Sequence, residues 1–166
     1  LIRVLFVCAG NICRSPIAQG VFEDVVRREG LSDEIQADSA GTTAFHVGSA
    51  PDRRAARAAQ ARGIELEGQW ARQITPADLQ DFDYVLVMDH GNYQDVLQLA
   101  SQASVNSYVG MFMDYAYDLP ETEVLDPYYG NGDGFERAID LTEAASIGLL
   151  ANIRQHYFDD VNDERV

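Results

Sequence analysis

Two residues six positions apart, Cys8 and Arg14, carry the first chemistry this chain offers. They lie in Val7-Cys8-Ala9-Gly10-Asn11-Ile12-Cys13-Arg14-Ser15-Pro16, where a short apolar run gives way to an amphipathic pattern. A thiolate placed there can act as a nucleophile beneath a cradle of loop N–H groups, while the guanidinium forks onto a phosphate-like dianion. The bare spacing carries little weight. All twelve basic residues are arginine, so composition alone would put one at this offset from either cysteine about one time in seven. The surroundings decide what the pair means.

Ile2 to Val7 is apolar apart from Arg3, as expected of a parallel strand buried on both faces. From Ser15 a helix is expected: Pro16 suits its first turn, Ile17, Val21, Phe22 and Val25 recur at helical spacing, and Gly30 stops it. The cysteine loop therefore joins a strand's carboxyl end to a helix N-terminus, where oriented N–H groups favour an anion. Further strands are expected over 34–39, 83–88 and, more diluted, 106–111. Helices are expected after Pro51-Asp52 to Gly63, after Thr75-Pro76, over 91–100, and from Asp133 to about Tyr157. Residues 114–134, rich in Asp, Pro, Tyr and Gly, read as a long irregular segment of the kind that often carries function. This order predicts one α/β domain over 1–166: a small doubly wound, mainly four-stranded parallel sheet with helices on both faces and the site at the strands' carboxyl ends. The acidic stretch 158–166 is expected to fray.

At 166 residues and 46% hydrophobic, the chain is long enough for one real core. No run is long enough for a signal peptide or a membrane span, so a soluble cytoplasmic protein is expected. Two cysteines and three scattered histidines, His46, His90 and His156, show no ligand spacing, and neither metal nor cofactor is expected. The histidines are read as surface or packing residues. A net charge of −15 argues against nucleic acid or an anionic membrane as partner. It also repels a phosphorylated substrate at long range, so any anion site must be local.

Taken together, these residues resemble the low-molecular-weight protein tyrosine phosphatases. The resemblance rests on the loop at 7–16, Asp38-Ser39-Ala40, Ala71-Arg72-Gln73, Asp83-Tyr84 running to Met88-Asp89, and Asp126-Pro127-Tyr128-Tyr129-Gly130. It implies that Cys8 attacks the phosphoryl group, that Arg14 holds the equatorial oxygens, and that Asp126 is the general acid and then the base. Ala9, Gly10, Asn11, Ile12 and Cys13 would form the phosphate loop, with Ser15 hydrogen-bonded to the thiolate. Gly10 would supply unusual backbone angles, and Asn11 would adopt a left-handed conformation tied through Ser39. Ile12, Phe45, Tyr128 and Tyr129 would wall a slot for a phenyl ring. Cys13 is either loop filler or a disulfide partner for Cys8, and Asp89 reads as a structural carboxylate more than a second acid. The implied partners are a phosphotyrosine protein or peptide as substrate and an opposing tyrosine kinase, with the protein a monomer; Tyr128 and Tyr129 are themselves expected phosphorylation sites.

Two departures stand out. Gln69-Trp70 occupies the place where relatives often carry a histidine before Ala-Arg-Gln, which puts that packing support in doubt. Phe45 stands where many carry Trp or Tyr. Arsenate reduction on the same scaffold needs resolving cysteines outside the loop, which this chain lacks. Phosphoarginine hydrolysis is disfavoured by Ile12, where such relatives tend to carry Thr, and by the paired tyrosines. A binding module without catalysis would show a lesion at Cys8, Arg14 or Asp126, and none is present. The acidic, lysine-free composition further suggests a salt-rich habitat in which self-repulsion is screened. Stability and activity are then expected to rise between low and molar salt, as thermal melts and an assay in the same salt series would show; values unchanged or falling would remove the habitat reading.

Overall fold

Strand β1 (Ile2–Cys8) is fully buried from Val4 to Val7 and divides its side chains between two cores. Val4, Phe6 and Cys8 point to one face, and Leu5 and Val7 to the other. This is the pattern that a continuous apolar run predicts. The chain is seen here in a computed structural model that describes residues 1–129 and 133–159, without the side chains of 129 and 159.

Helix α1 (Arg14–Arg28) leaves the loop after β1 and ends before Gly30, whose φ of 71° is the left-handed stop expected there. Strand β2 (Ile35–Gly41) pairs parallel with β1, running two residues beyond the expected Ser39. Asp52 caps α2 (Arg53–Gln60) by accepting from Arg54 N–H at 2.8 Å, and Gly63 at φ 78° closes that segment. A short α3 (Asp78–Asp81) leads into β3 (Tyr84–Val87), and α4 (His90–Ala100) leads into β4 (Tyr108–Met111). Asn106 and Ser107, expected in the strand, instead donate their N–H groups to the Leu79 carbonyl and so lie outside the ladder. Short 3₁₀ turns, Phe112–Tyr115 and Pro127–Tyr129, punctuate the long segment. Helix α5 (Asp133–Ile153) stops four residues before the expected Tyr157, and the chain continues as a wider π turn over Arg154–Asp159. Of the stretch expected to fray, Phe158 packs on the core; residues 160–166 lie outside the described residues.

The strand order is β2-β1-β3-β4, all parallel. The chain moves to one side of β1 for β2 and to the other side for β3, so the loop after β1 sits at the topological switch point, where flanking loops diverge and leave a crevice. Helices α1, α2 and α5 cover one face over Phe6, Phe22 and Phe112, and the Phe6 ring meets those of Phe22 and Phe112 at 5.5 and 4.8 Å. Helices α3 and α4 cover Leu5, Val7, Val85 and Val87 on the other. Among the described residues no helix is long and apolar enough to cross a membrane.

One close approach fixes how α5 lies on the sheet. A Cβ added at Gly148 would fall 1.9 Å from the Tyr115 carbonyl oxygen, so only glycine lets the helix reach that turn. Gly148→Ala is therefore expected to destabilise by about 1–3 kcal/mol through overpacking, although alanine is the better helix former by about 1 kcal/mol. Urea denaturation measures this, and a more stable variant would show that the contact is loose.

Candidate active site

The loop after β1 closes around the Cys8 sulfur. Asn11 N–H points at Sγ from 3.3 Å, and the Ser15 hydroxyl lies 3.0 Å away. Asn11 Nδ2 donates to Ser15 Oγ at 2.8 Å, so that oxygen is already an acceptor and its own proton is free to point outward. The sulfur at 3.0 Å is a nearer acceptor for it than the Ala40 carbonyl at 3.4 Å. Two donors thus converge on Cys8, an arrangement suited to an anionic sulfur.

Asn11 has a φ of 56°, alone among non-glycine residues described. The strain is held by its amide: Nδ2 also donates to Ser39 Oγ at 2.9 Å, and Oδ1 accepts from Arg72 N–H at 3.0 Å. Gly10 needs correction on this point. It does not take the left-handed region; its missing side chain leaves room for the His46 ring, whose Cδ2 would lie 2.9 Å from a Cβ. Gly41 at the end of β2 makes a tighter demand, since a Cβ there would meet the Ala9 carbonyl oxygen at 2.6 Å.

Gln69, where packing support was in doubt, supplies support of its own. Its amide donates to the Pro16 carbonyl at 3.1 Å and its oxygen stands 3.5 Å from Ser39 Oγ, so it bridges the start of α1 and the Ser39 support. Arg72 is held by Asp78 and Asp38 and presents its N–H to the loop. Trp70 is exposed.

Arg14 is only 3% exposed, and burying its charge requires partners. Its Nη1 donates to Asp89 Oδ2 at 2.6 Å and to the Val124 carbonyl at 2.9 Å. Its Nη2 lies 3.7 Å from Asp126 Oδ2. Asp89 also caps α4, accepting from Asn92 N–H at 2.7 Å, which fits its reading as a structural carboxylate. Val124 escaped sequence reasoning altogether. Its N–H donates to the Met88 carbonyl at 2.8 Å, pinning the segment before Asp126 to the end of β3, and no residue-type signal marks such a main-chain peg.

Cys8, Ala9, Gly10, Ile12, Cys13, Arg14, Phe45, Asp126 and Tyr128 line one cavity of about 280 Å³, together with Thr43 and His46. His46, expected as a surface or packing residue, thus belongs to the site, its ring 6.3 Å from that of Tyr128. Phe45 is 88% exposed and stands at the rim. The Tyr129 side chain lies outside the described residues. Asn11, Ser15 and Ser39 stand behind the cavity as loop supports. Among the described residues no group of three or more His, Cys, Asp or Glu side chains is arranged to hold a metal.

Across the cavity mouth, Arg54 packs over the Tyr128 ring at 5.3 Å and donates to the Tyr128 carbonyl at 3.2 Å, while paired with Asp52. Asp52 N–H in turn donates to the Ile12 carbonyl at 2.8 Å, so α2 ties the segment of Asp126 to the cysteine loop. The sequence marked Asp52 only as a helix cap.

A parallel sheet carrying an oxyanion loop at its switch point, with a cysteine, a buried arginine and an opposed carboxylate, defines a cysteine-centred phosphate-handling α/β protein. Comparison with known proteins makes this specific. Residues 3–158 match the family model described as low molecular weight phosphotyrosine protein phosphatase. Similar proteins include YfkJ of Bacillus subtilis, a low molecular weight protein-tyrosine-phosphatase 39% identical over 156 residues, 93% of this chain and 97% of that one. The low molecular weight phosphotyrosine protein phosphatase of Rattus norvegicus is 43% identical over 135 residues, 80% of this chain and 84% of that one. The crystal structure of YfkJ superposes with a TM-score of 0.88 over 95% of this chain and 97% of that chain. The structure of a Drosophila arginine phosphatase does so at 0.86, with 29% identity, over 95% and 98%. The chain belongs to the low molecular weight protein tyrosine phosphatase family.

Cys8 and Cys13 are both free and buried, but their surroundings differ. Burial pushes the Cys13 thiol up to about 12, and the charges of Asp52, Cys8 and Asp126 add to the effect against Arg54. A raised thiol pKa means the neutral form persists until the pH nears that value, so Cys13 is a poor nucleophile throughout the neutral range. In Cys8→Ser protein, iodoacetamide at pH 8 is expected to label Cys13 at least about tenfold more slowly than a free thiol. Mass spectrometry reads the rate, and labelling as fast as free cysteine would contradict this assignment.

Proposed function

We infer that this protein tyrosine phosphatase hydrolyses phosphotyrosine monoesters in proteins or peptides through a phosphocysteine intermediate, with Cys8 as nucleophile and Asp126 as general acid and base. The observation that carries the reading is the convergence of Cys8 and Arg14, from one loop, and Asp126, more than a hundred residues further on, at one cavity. The dianion would sit in the loop with its phosphorus above Sγ. Arg14 Nη1 is engaged by Asp89 and Val124, which leaves Nη2 and Nε to fork onto two phosphoryl oxygens. Loop N–H groups and the N-terminus of α1 complete the cradle.

In the first step the Cys8 thiolate forms an S–P bond as the P–O ester bond breaks, and Asp126 gives its proton to the departing phenolic oxygen. In the second, water gives a proton to Asp126 and attacks phosphorus; the S–P bond breaks, the thiolate returns and inorganic phosphate leaves. The Tyr128 N–H donates to Asp126 Oδ1 at 3.0 Å, which orients the carboxyl and leaves Oδ2 toward Arg14 and the reacting group. Ile12, Tyr128 and His46, with Phe45 at the rim, offer a largely flat apolar opening that suits an aryl group better than a flexible alkyl guanidine.

Asp126→Ala is expected to leave KM nearly unchanged while kcat falls by about 10²–10⁴-fold, and Cys8→Ser is expected to abolish hydrolysis. Steady-state assays of reduced protein on phosphotyrosine, phosphoserine and phosphoarginine peptides test both variants beside the parent. Hydrolysis surviving in Cys8→Ser would sink the covalent route, and faster turnover of phosphoarginine would move the substrate class.

A further inference from the structure

Five of the eight tyrosines gather at the amino end of the sheet, at the far ends of the strands from the cysteine loop. Tyr84 begins β3, Tyr108 begins β4, Tyr115 ends the first 3₁₀ turn, Tyr117 follows two residues later, and Tyr157 comes from the π turn after α5. They line a cleft of about 630 Å³. The rings meet edge to face: Tyr84 lies 6.2 Å from Tyr108 and 6.5 Å from Tyr157, and Tyr115 lies 6.5 Å from Tyr117, at angles of 70° to 72°.

Tyr84 and Tyr115 are buried and serve as the floor, but Tyr108, Tyr117 and Tyr157 are 53%, 69% and 43% exposed. Core packing accounts for the first two and leaves the other three unexplained. The cleft is also shaped by two glycines. A Cβ at Gly110 would come within 2.8 Å of the Tyr108 ring, and one at Gly148 would come within 3.2 Å of the Tyr117 ring. Burial pushes the Tyr84 and Tyr115 phenols well above their ordinary range, so neither adds a charge to the cleft.

Charge decides which ligand such a cleft takes. Asp83 and Asp114 are in its lining and no arginine is, among the described residues. One oxygen of Asp83 accepts the Arg3 backbone N–H at 2.8 Å, but no cationic side chain pairs with either carboxylate among the described residues. His156, also in the lining, is the one basic side chain there. An anion would meet two carboxylates and the negative faces of the rings, within a protein of net charge −15. A cation meets attraction from every one of these.

We propose that the tyrosine cleft is a second binding site, for a quaternary ammonium group, formed by the faces of Tyr108, Tyr117 and Tyr157 with Asp83 and Asp114 supplying the field. The site is independent of the phosphatase reading, since none of its residues touches the cysteine cavity. The same head group can arrive as a free small molecule or as a trimethylated lysine of a partner protein.

Isothermal titration and tyrosine-ring NMR with choline test the site on the intact protein. Saturable binding in the millimolar range is expected, and 3,3-dimethylbutan-1-ol, a neutral molecule of the same shape, should bind at least about fivefold more weakly. Tyr117→Phe keeps the ring face and should bind within about twofold of the parent; Tyr117→Leu should lose at least about fivefold, with phosphatase activity unchanged in both. A trimethyllysine peptide that binds more tightly than choline identifies a partner protein as the source, and one that binds no better identifies a free ammonium. Equal affinity for the neutral isostere, full binding by Tyr117→Leu, or no saturation would overturn the proposal.

Discussion

A guanidinium buried almost completely among main-chain loops is the constraint on which the rest of the site depends. Leaving such a charge without partners would cost about 3–5 kcal/mol, so the chain around Arg14 is arranged to supply them. Asp89 brings the end of β3 and the start of α4, and the Val124 carbonyl brings the long segment that ends in Asp126. Each partner is fixed a second time, Asp89 by its cap on α4 and Val124 by its bond to Met88. One arginine thereby holds the loop after β1 against the loop after β3 and the segment of Asp126. Removing it would loosen three elements as well as the anion site.

The same pairing limits how the proposed cradle would hold an anion in a chain of charge −15. Asp89 largely neutralises Arg14 at close range, so the cradle cannot rely on a surplus of positive side chains. What remains are oriented dipoles: the N–H groups of a loop bent through the left-handed Asn11 and the N-terminus of α1. Dipoles act over short distances and are preorganised by the fold, which makes the site local and leaves the long-range field repulsive. The bend at Asn11 is costly, and three hydrogen bonds from its side chain keep it in place. At the other end of the sheet the field is unopposed by any such cradle, and aromatic faces and carboxylates there act in the same direction.

Much of this architecture could be read from local chemistry. The run from Ile2 to Val7 needs burial on both faces, Asp52 and Gly63 delimit α2, and Gly30 ends α1, because each signal acts within a few residues. Where distant groups compete for a backbone N–H, local pattern misleads. Asn106 and Ser107 fall in the expected strand but bond to Leu79, and α5 gives way to a π turn before its apolar pattern ends. His46 had no spacing to any other functional residue, and it reaches the cavity because the loop after β2 folds back over Gly10.

The sequence by itself determined the family and the order of elements, and it put the proposed nucleophile Cys8 and Arg14 in one loop with Asn11 and Ser15, which bond to each other and to the Cys8 sulfur. Only the tertiary structure decided what sets them in place. Val124 contributes through its main chain, Gly41 through the absence of a side chain, and Gln69 through a side-chain amide that bridges Pro16 and Ser39. None of these has a residue-type signature, since a carbonyl, a missing Cβ or a bridging amide matters only once distant segments have been brought to within a few ångströms. The tyrosine cleft arises in the same way, from rings scattered between positions 84 and 157 that the parallel sheet and α5 bring to one edge.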